Sequence, residues 1–147
     1  MFTYNIQLAG YPYEKFDEKG ETDLVNFTHT FEAFPWLEQL DSYDKIKEGC
    51  SATISAKAIN DDIDFWVSVA GKRDKYVFLI GIVYLKPRKG LLGFGKEKVV
   101  RWVDIFETET KEKIISLFSL FFEKKYELLK SELSMLKKFE SMKAFIQ

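Results

Sequence analysis

The chain has 147 residues, of which 46% are hydrophobic and 31% charged, and its formal net charge is -1. This length is typical of one domain, spanning residues 1–147, with a core large enough to fold without a disulfide or a structural metal. Its single cysteine excludes an internal disulfide, and no apolar run is long enough to span a bilayer. We expect a cytoplasmic protein without a signal peptide. The abundance of lysine, isoleucine and phenylalanine suggests a bacterial source.

Charge is distributed unevenly along the chain. Residues 1–64 carry 13 acids against 5 lysines, a net charge of -8, whereas residues 65–106 carry 3 acids against 9 bases, a net charge of +6. Such a split predicts opposed electrostatic patches if the segments stay apart in the fold. The more common outcome is that these charges pair with each other and are solvated on separate faces.

The first third of the chain predicts two strands and a short helix. Residues 2–9 have strand composition and end at the turn signal Gly10-Tyr-Pro, and the polar residues 14–23 are expected to form a loop. Residues 24–31 alternate between apolar and polar side chains, which predicts a second strand. Pro35 can occupy the first position of a helix in which Trp36, Leu37 and Leu40 recur at helical spacing.

The middle of the chain predicts an antiparallel β-meander. In residues 51–58 and 63–69 the side chains alternate between the two faces of a strand. The turn signal Asn60-Asp61-Asp62 lies between these segments, which indicates a hairpin. Residues 76–85 are apolar on both faces, as in a central strand that is covered on both sides. A last strand is predicted over residues 99–106, after a glycine-rich connection.

A long amphipathic helix is predicted to close the fold from about Glu109 onward. Thr108 and Thr110 are candidate N-caps, and Glu109 and Glu112 favour the positive end of the helix dipole. Apolar residues fall on one broad side at helical spacing, and we assign them to the core: Ile114, Leu117, Phe118, Phe121, Phe122, Leu128, Leu129, Leu133 and Leu136. The predicted fold is therefore α+β, a mostly antiparallel meander packed against this helix and the shorter N-terminal one.

One segment has the glycine and lysine spacing of a phosphate-binding loop. Gly90, Gly95 and Lys96 fit G-x-x-x-x-G-K, but the next residue is Glu97 instead of the serine or threonine that holds magnesium. The residues after it predict a strand instead of the helix whose N-terminus would meet the phosphates. A glycine-rich hairpin tip is therefore the favoured interpretation.

The same hairpin is rich in bases next to an aromatic ring, a combination that nucleic-acid-binding proteins use. The residues concerned are Lys86, Arg88, Lys89, Lys96, Lys98 and Arg101, beside Trp102. Only three arginines occur in the chain and its net charge is negative, so nucleic acid is a disfavoured partner.

Candidate catalytic groups are sparse. His29 is the only histidine and lies on the apolar side of a predicted strand, so we expect a packing role for it. Cys50 is expected to be a small buried residue that could act as a nucleophile only near His29. Asp61, Asp62 and Asp64 lie at a turn, where carboxylates usually bind their own backbone. The sequence predicts no cofactor and no metal site.

Aromatic residues make up 16% of the chain, which favours a binding surface. The amphipathic aromatics of the kind enriched at interface centres are Tyr11, Tyr13, Trp36, Tyr43, Trp66 and Trp102. Some of these must belong to the core.

Two stretches resemble the small α+β immunity proteins that bacteria keep beside secreted polymorphic toxins. Residues 59–69 are similar to the polar turn and aromatic strand of such sheets, and residues 114–133, with Leu-Phe-Phe-Glu at 120–123, are similar to their closing helix. The resemblance covers about half of the chain and implies no catalytic residues. It implies a stoichiometric inhibitor that blocks a toxin's active site, and the acidic N-terminal half would suit a basic toxin.

The resulting hypothesis is a non-enzymatic, protein-binding domain of the immunity type. Its predicted partner contacts are the acidic segments 14–23 and 41–48, with Trp36, Asp41, Tyr43, Asp44 and Glu48 as the named site residues. One alternative is a small-ligand-binding domain with a pocket between sheet and helices, lined by Trp66, Tyr84 and Trp102. A second is an enzyme built around His29 and nearby acids.

Overall fold

The computed structural model describes residues 1–88 and 98–144. Its helices are α1 (Leu24–Ala33), α2 (Trp36–Ile46), α3 (Lys111–Phe122) and α4 (Tyr126–Ser134). Its strands are β1 (Phe2–Gln7), β2 (Asp17–Thr22), β3 (Thr53–Ala58), β4 (Ile63–Lys72), β5 (Lys75–Arg88), β6 (Lys98–Thr108) and β7 (Lys137–Lys143). The α+β class is confirmed.

The strands form one sheet in the order β2-β1-β3-β4-β5-β6-β7, and every neighbouring pair is antiparallel. The predicted meander is confirmed for β3 to β6. The hairpin of β1 and β2 extends the sheet beyond β3, and α1 and α2 carry the chain from β2 to β3. Strands β2 and β7 are the two edges.

All helices pack against the same face of the sheet. Residues directly opposite each other in an antiparallel pair share a face, so Ile54, Phe65 and Ile80 lie on one side by their register. The buried residues of the helices belong to the same core cluster: Phe27, Phe31, Trp36, Leu40, Ile114, Leu117, Phe118, Phe121, Leu129 and Leu133. We call this side the helix-covered face.

The opposite side, which we call the uncovered face, carries Trp66, Val83 and Val103. Val83 is only 8% exposed, as predicted for a central strand with two apolar faces. Within residues 1–88 and 98–144, however, the buried residues of the helices all join the core of the other face. The prediction that both faces are covered is thus right for the centre of β5, although its cover on this side comes from neighbouring strands.

The predicted strand at residues 24–31 is wrong, because these residues begin α1. Asp23 caps this helix by accepting a hydrogen bond of 2.8 Å from the backbone N–H of Asn26. Phe27 and Phe31 are buried and lie four residues apart, a spacing that suits one helix face as well as one strand face. The pattern of residues 24–31 therefore fits a strand and a helix equally well, and Asp23, as an N-cap, is the residue that indicates a helix.

The polar segment predicted as a loop contains β2 instead. Its residues Asp17–Thr22 are mostly exposed and pair only with β1. An edge strand has one neighbour and little apolar surface to bury, so it lacks the hydrophobic alternation from which strands are predicted.

The single long C-terminal helix is also wrong. The chain leaves the helix after Phe122, where Lys124 adopts a left-handed conformation with φ of 60° and donates its backbone N–H to Phe121 O at 3.0 Å. Helix α4 follows and then β7, which pairs with β6. No glycine or proline marks the break in the sequence. The apolar residues keep helical spacing across it, so the sequence predicted one continuous helix.

This break changes which leucines are buried, and two neighbouring residues test it. Leu129 is fully buried whereas Leu128, predicted for the same apolar stripe, is 49% exposed. We expect Leu129→Ala to lower the free energy of unfolding by about 2–5 kcal/mol through loss of packing and cavity formation. Leu128→Ala should change it by no more than about 0.5 kcal/mol. Chemical denaturation of both variants measures the difference, and equal losses would contradict the orientation of α4.

Candidate functional site

The loop between β1 and β2 is joined to the C-terminal end of α2. Gly10 donates its backbone N–H to Cys50 O at 2.9 Å, and Cys50 donates its own to Tyr11 O at 2.9 Å. The backbone N–H of Ala9 donates to Gln39 Oε1 at 2.8 Å. These bonds bring the start of one predicted contact segment, residues 14–17 of 14–23, close to the other segment, residues 41–48, whereas residues 18–23 follow β1 towards Phe2.

The junction depends on Gly49 and Gln7. Gly49 has φ of 73°, and a Cβ at this position would lie 2.5 Å from the carbonyl oxygen of Tyr11, so only glycine fits. The buried side chain of Gln7 donates from Nε2 to the carbonyl oxygens of Tyr13 and Lys15, at 3.1 and 3.3 Å. The loop is thus fixed from both sides. Sequence patterns gave no signal for either role.

The surface around this junction is acidic and aromatic. Residues 11–17 and 41–48 together carry five acids against three lysines, a net charge of -2. The other acids of residues 14–23 lie on β2 or just after it, away from the junction. Side chains of the loop, of the flank of α2 that faces it and of the turn after α2 make up what we call the acidic tyrosine surface, which comprises Tyr11, Tyr13, Glu14, Tyr43, Ile46 and Glu48. Asp44 lies next to this surface on the other flank of α2, towards Arg73.

The three tyrosines of this surface differ in exposure. Tyr13 is 65% exposed, whereas Tyr43 is half-buried. Tyr11 donates its hydroxyl to Asp17 at 2.8 Å, a hydrogen bond that raises the pKa of Tyr11, and Lys15 Nζ lies 4.2 Å from the centre of its ring. Tyr11 is therefore held in place while Tyr13 presents its ring to solvent.

The predicted acids of α2 are placed differently from one another. Asp41 forms an ion pair with Arg73, with 2.6 Å between Oδ2 and Nη2, and this contact lowers the pKa of Asp41. Asp44 and Glu48 are exposed and have no ion pair within the part of the chain that the structure describes. A shallow depression of about 270 Å³ separates α2 from the turn after β4, lined by Leu40, Asp41, Asp44, Lys72, Arg73 and Asp74.

Trp36, the predicted aromatic anchor, lies in the core. It is 3% exposed, and its indole N–H donates to Phe31 O at 3.0 Å. Its ring packs against Phe34 and Phe78. This position favours a packing role over direct contact with a partner.

His29 is not the packing histidine predicted from the strand pattern. It is exposed on α1, and its side chain forms no hydrogen bond or ion pair with any other described residue. Cys50 is buried as predicted, with its sulfur 3.8 Å from Leu8 O, and burial raises the pKa of the Cys50 thiol. A raised pKa disfavours the thiolate that a nucleophile needs.

Two bases of the predicted hairpin patch, Lys86 and Arg101, lie on opposite faces. Lys86 lies on the helix-covered face, with Nζ 4.5 Å from the centre of the Trp102 ring. Arg101 lies on the uncovered face and bridges Asp62 and Asp64 at 2.8 and 2.7 Å. Part of the charge split along the sequence is therefore neutralised by pairing. The Gly90 to Lys96 motif lies outside the described residues.

The three aromatics predicted to line a small-ligand pocket do not share a face. Trp66 lies on the uncovered face against Gly81, where an added Cβ would come within 2.0 Å of the indole ring. Tyr84 and Trp102 are direct neighbours on the helix-covered face. A pocket lined by all three is therefore wrong.

Tyr84 and Trp102 instead belong to a polar network around Asp104. Tyr84 donates its hydroxyl to Asp104 at 2.8 Å, and Ser141 donates to the other carboxylate oxygen at 2.5 Å. The indole N–H of Trp102 donates to Ser141 Oγ at 2.7 Å. Burial and the bond to Asp104 raise the pKa of Tyr84 to about 12. Sequence reasoning missed Asp104 and Ser141, which are neighbours only through the pairing of β6 with β7.

Comparison with protein families, with curated proteins and with solved structures found no match. Within residues 1–88 and 98–144, no group of three or more histidine, cysteine or acidic side chains could hold a metal ion. No helix in the same part of the chain is both long and apolar enough to cross a membrane.

Two glycines test the junction that builds the acidic tyrosine surface. Gly49 and Gly20 both have positive φ, but an added Cβ meets nothing within 4 Å at Gly20 and meets the Tyr11 carbonyl at Gly49. We expect Gly20→Ala to lower the free energy of unfolding by about 1–2 kcal/mol, the cost of a left-handed alanine. Gly49→Ala should cost more and should speed hydrogen exchange at residues 9–11. Equal losses and unchanged exchange would contradict the close packing of the loop.

The Asp104 network predicts a dependence of stability on alkaline pH. Because the raised pKa favours the protonated phenol in the folded state, Tyr84 contributes stability that is complete below about pH 10 and is lost as pH rises through about 12. Tyr84→Phe should lower the melting temperature at neutral pH and make its decline between these pH values shallower. Thermal melts of both proteins across that range measure the difference, and parallel curves would contradict the assignment.

Proposed function

We propose that this chain is a non-enzymatic, protein-binding domain, most concretely a cytoplasmic, immunity-type inhibitor that forms a stoichiometric complex with a basic bacterial toxin. The observation that carries the proposal is the acidic tyrosine surface. Residues 14–17 and residues 41–48, which are far apart in sequence, approach each other there around a junction fixed by backbone hydrogen bonds.

Charge supports a basic partner. Glu14, Asp44 and Glu48 are exposed, and no lysine or arginine of the described residues forms an ion pair with them. Unpaired carboxylates on and next to this surface attract a basic protein over about one Debye length, roughly 8–10 Å in physiological salt, and accelerate encounter.

The aromatic side chains support a protein as the partner. Tyrosine is enriched at interface centres because its ring supplies large contact area and its hydroxyl tolerates water. Tyr13 of the loop is exposed, and so is Ile46, which lies one turn after Tyr43 on α2 and faces the loop at Gly10. Apolar contact area therefore lies on the same surface as Glu14 and Glu48. Gln7 and Gly49 hold the loop in place, which lowers the entropy lost on binding.

The experiment uses the protein encoded next to this chain's gene, because an immunity protein and its toxin are encoded together in the families that the sequence resembles. We expect a one-to-one complex in which the toxin is inactive, with association that slows steeply as salt rises. Reversing Glu14, Asp44 and Glu48 to lysine should slow association by about tenfold or more at low salt and leave dissociation nearly unchanged. Surface plasmon resonance at several salt concentrations separates the two rates.

The matched control reverses three exposed acids, Glu109 just before α3, Glu112 on α3 and Glu127 on α4, which makes the same change in net charge. This variant should associate with the partner nearly as fast as the unaltered chain. Tyr13→Ala should speed dissociation instead, because it removes contact area and leaves charge unaltered. Equal slowing by both triple variants would contradict a local electrostatic surface, and absence of any complex would contradict the proposed function.

A further inference from the structure

Strand β7 is an edge with an unusually exposed surface. It pairs with β6 on one side and has no strand neighbour on the other side within the described residues. Six of its seven residues are exposed, including Phe139 at 54%, and only Met142 is half-buried. An edge of this kind presents unpaired backbone N–H and C=O groups to which another strand can add.

Side-chain hydrogen bonds hold β7 in place with little apolar burial. Ser141 donates to Asp104 and accepts from the Trp102 indole, so the strand is tied to β6. Asp104 is tied in turn to Tyr84 of β5. The edge is therefore ordered before any partner arrives, which reduces the entropic cost of binding.

This edge carries a net positive charge. Strand β7 has three lysines and one glutamate, and Lys138 and Lys143 form no ion pair with another described residue. Lys143 lies opposite Trp102 on the helix-covered face, where Lys86 approaches the same ring. The far edge, β2, has three acids and one lysine.

We propose that β7 is a docking edge to which an extended acidic segment of a partner protein adds as an eighth strand. Main-chain hydrogen bonds would supply binding, and the lysines would select for acidic side chains in the added segment. This edge lies six strands away from β2 and does not include the acidic tyrosine surface.

The same lysines oppose pairing of two β7 strands, because like charges directly opposite each other are destabilising. They oppose basic segments for the same reason. With an acidic segment the interaction with these lysines is attractive instead of repulsive, so charge complementarity distinguishes such a segment from other extended chains.

The test uses labelled synthetic peptides that alternate glutamate or lysine with threonine, added to the full chain. We expect the acidic peptide to bind and to slow hydrogen exchange at residues 137–143, and the basic peptide not to bind. Methylating backbone nitrogens on one edge of the acidic peptide should weaken binding by about tenfold or more, because it removes main-chain donors. Equal binding of the methylated peptide, or protection elsewhere in the chain, would overturn strand addition.

Variants of the chain give an independent readout. The double variant Lys138→Glu with Lys143→Glu should lower the affinity for the acidic peptide by about tenfold, since two favourable charge contacts become repulsive. Lys75→Glu with Lys111→Glu makes the same charge change at exposed positions outside β7 and should have little effect. Circular dichroism confirms that both variants fold. Salt-dependent self-association lost in the β7 variant would overturn the proposal in favour of a second copy's β2 as the occupant.

Discussion

Phe118 of α3 makes the contacts on which much of the rest of the structure depends. Its ring lies 4.9 Å from that of Phe27 and 5.3 Å from that of Phe31, both on α1, and 5.8 Å from that of Phe65 on β4. Each aromatic pair contributes about 0.5–1.5 kcal/mol beyond the burial of its area. One side chain thereby positions two helices against the sheet. Phe31 continues the contacts to Trp36, which packs against Phe78 of β5 and fixes the start of α2.

The position of α2 determines the candidate site. Since Trp36 and Leu40 are buried against the sheet, Gln39 and Ile46 lie on the side of α2 that meets the β1–β2 loop, where Ala9 and Gly10 contact them. The acidic tyrosine surface is thus a consequence of core packing. The aromatic residues differ by type: seven phenylalanines are buried, whereas every tyrosine is half-buried or exposed, four of them packing against the edge of the core.

The sequence predicted the sheet better than the helices for a physical reason. Strands β3 to β6 alternate and are separated by turn signals, so local patterns specify them. The spacing of Phe27 and Phe31 suits a helix as well as a strand, so tertiary packing decides that α1 is a helix. The break at Lys124 has no glycine or proline, so packing also decides where α3 ends. The acidic character of the site was readable from composition, but its assembly depends on hydrogen bonds between residues about forty positions apart, such as Gly10 with Cys50. Trp36 was misassigned because composition does not reveal burial.

The partner is proposed to contact the acidic tyrosine surface. Hydrogen exchange of the chain, alone and in complex with the protein encoded beside it, measures this directly, because bound backbone amides exchange more slowly. Slower exchange at residues 10–16 and 42–50, with the core amides of β4 and β5 unchanged, is the predicted result. Protection confined to the uncovered face or to α3 and α4, with none in these two segments, would contradict it.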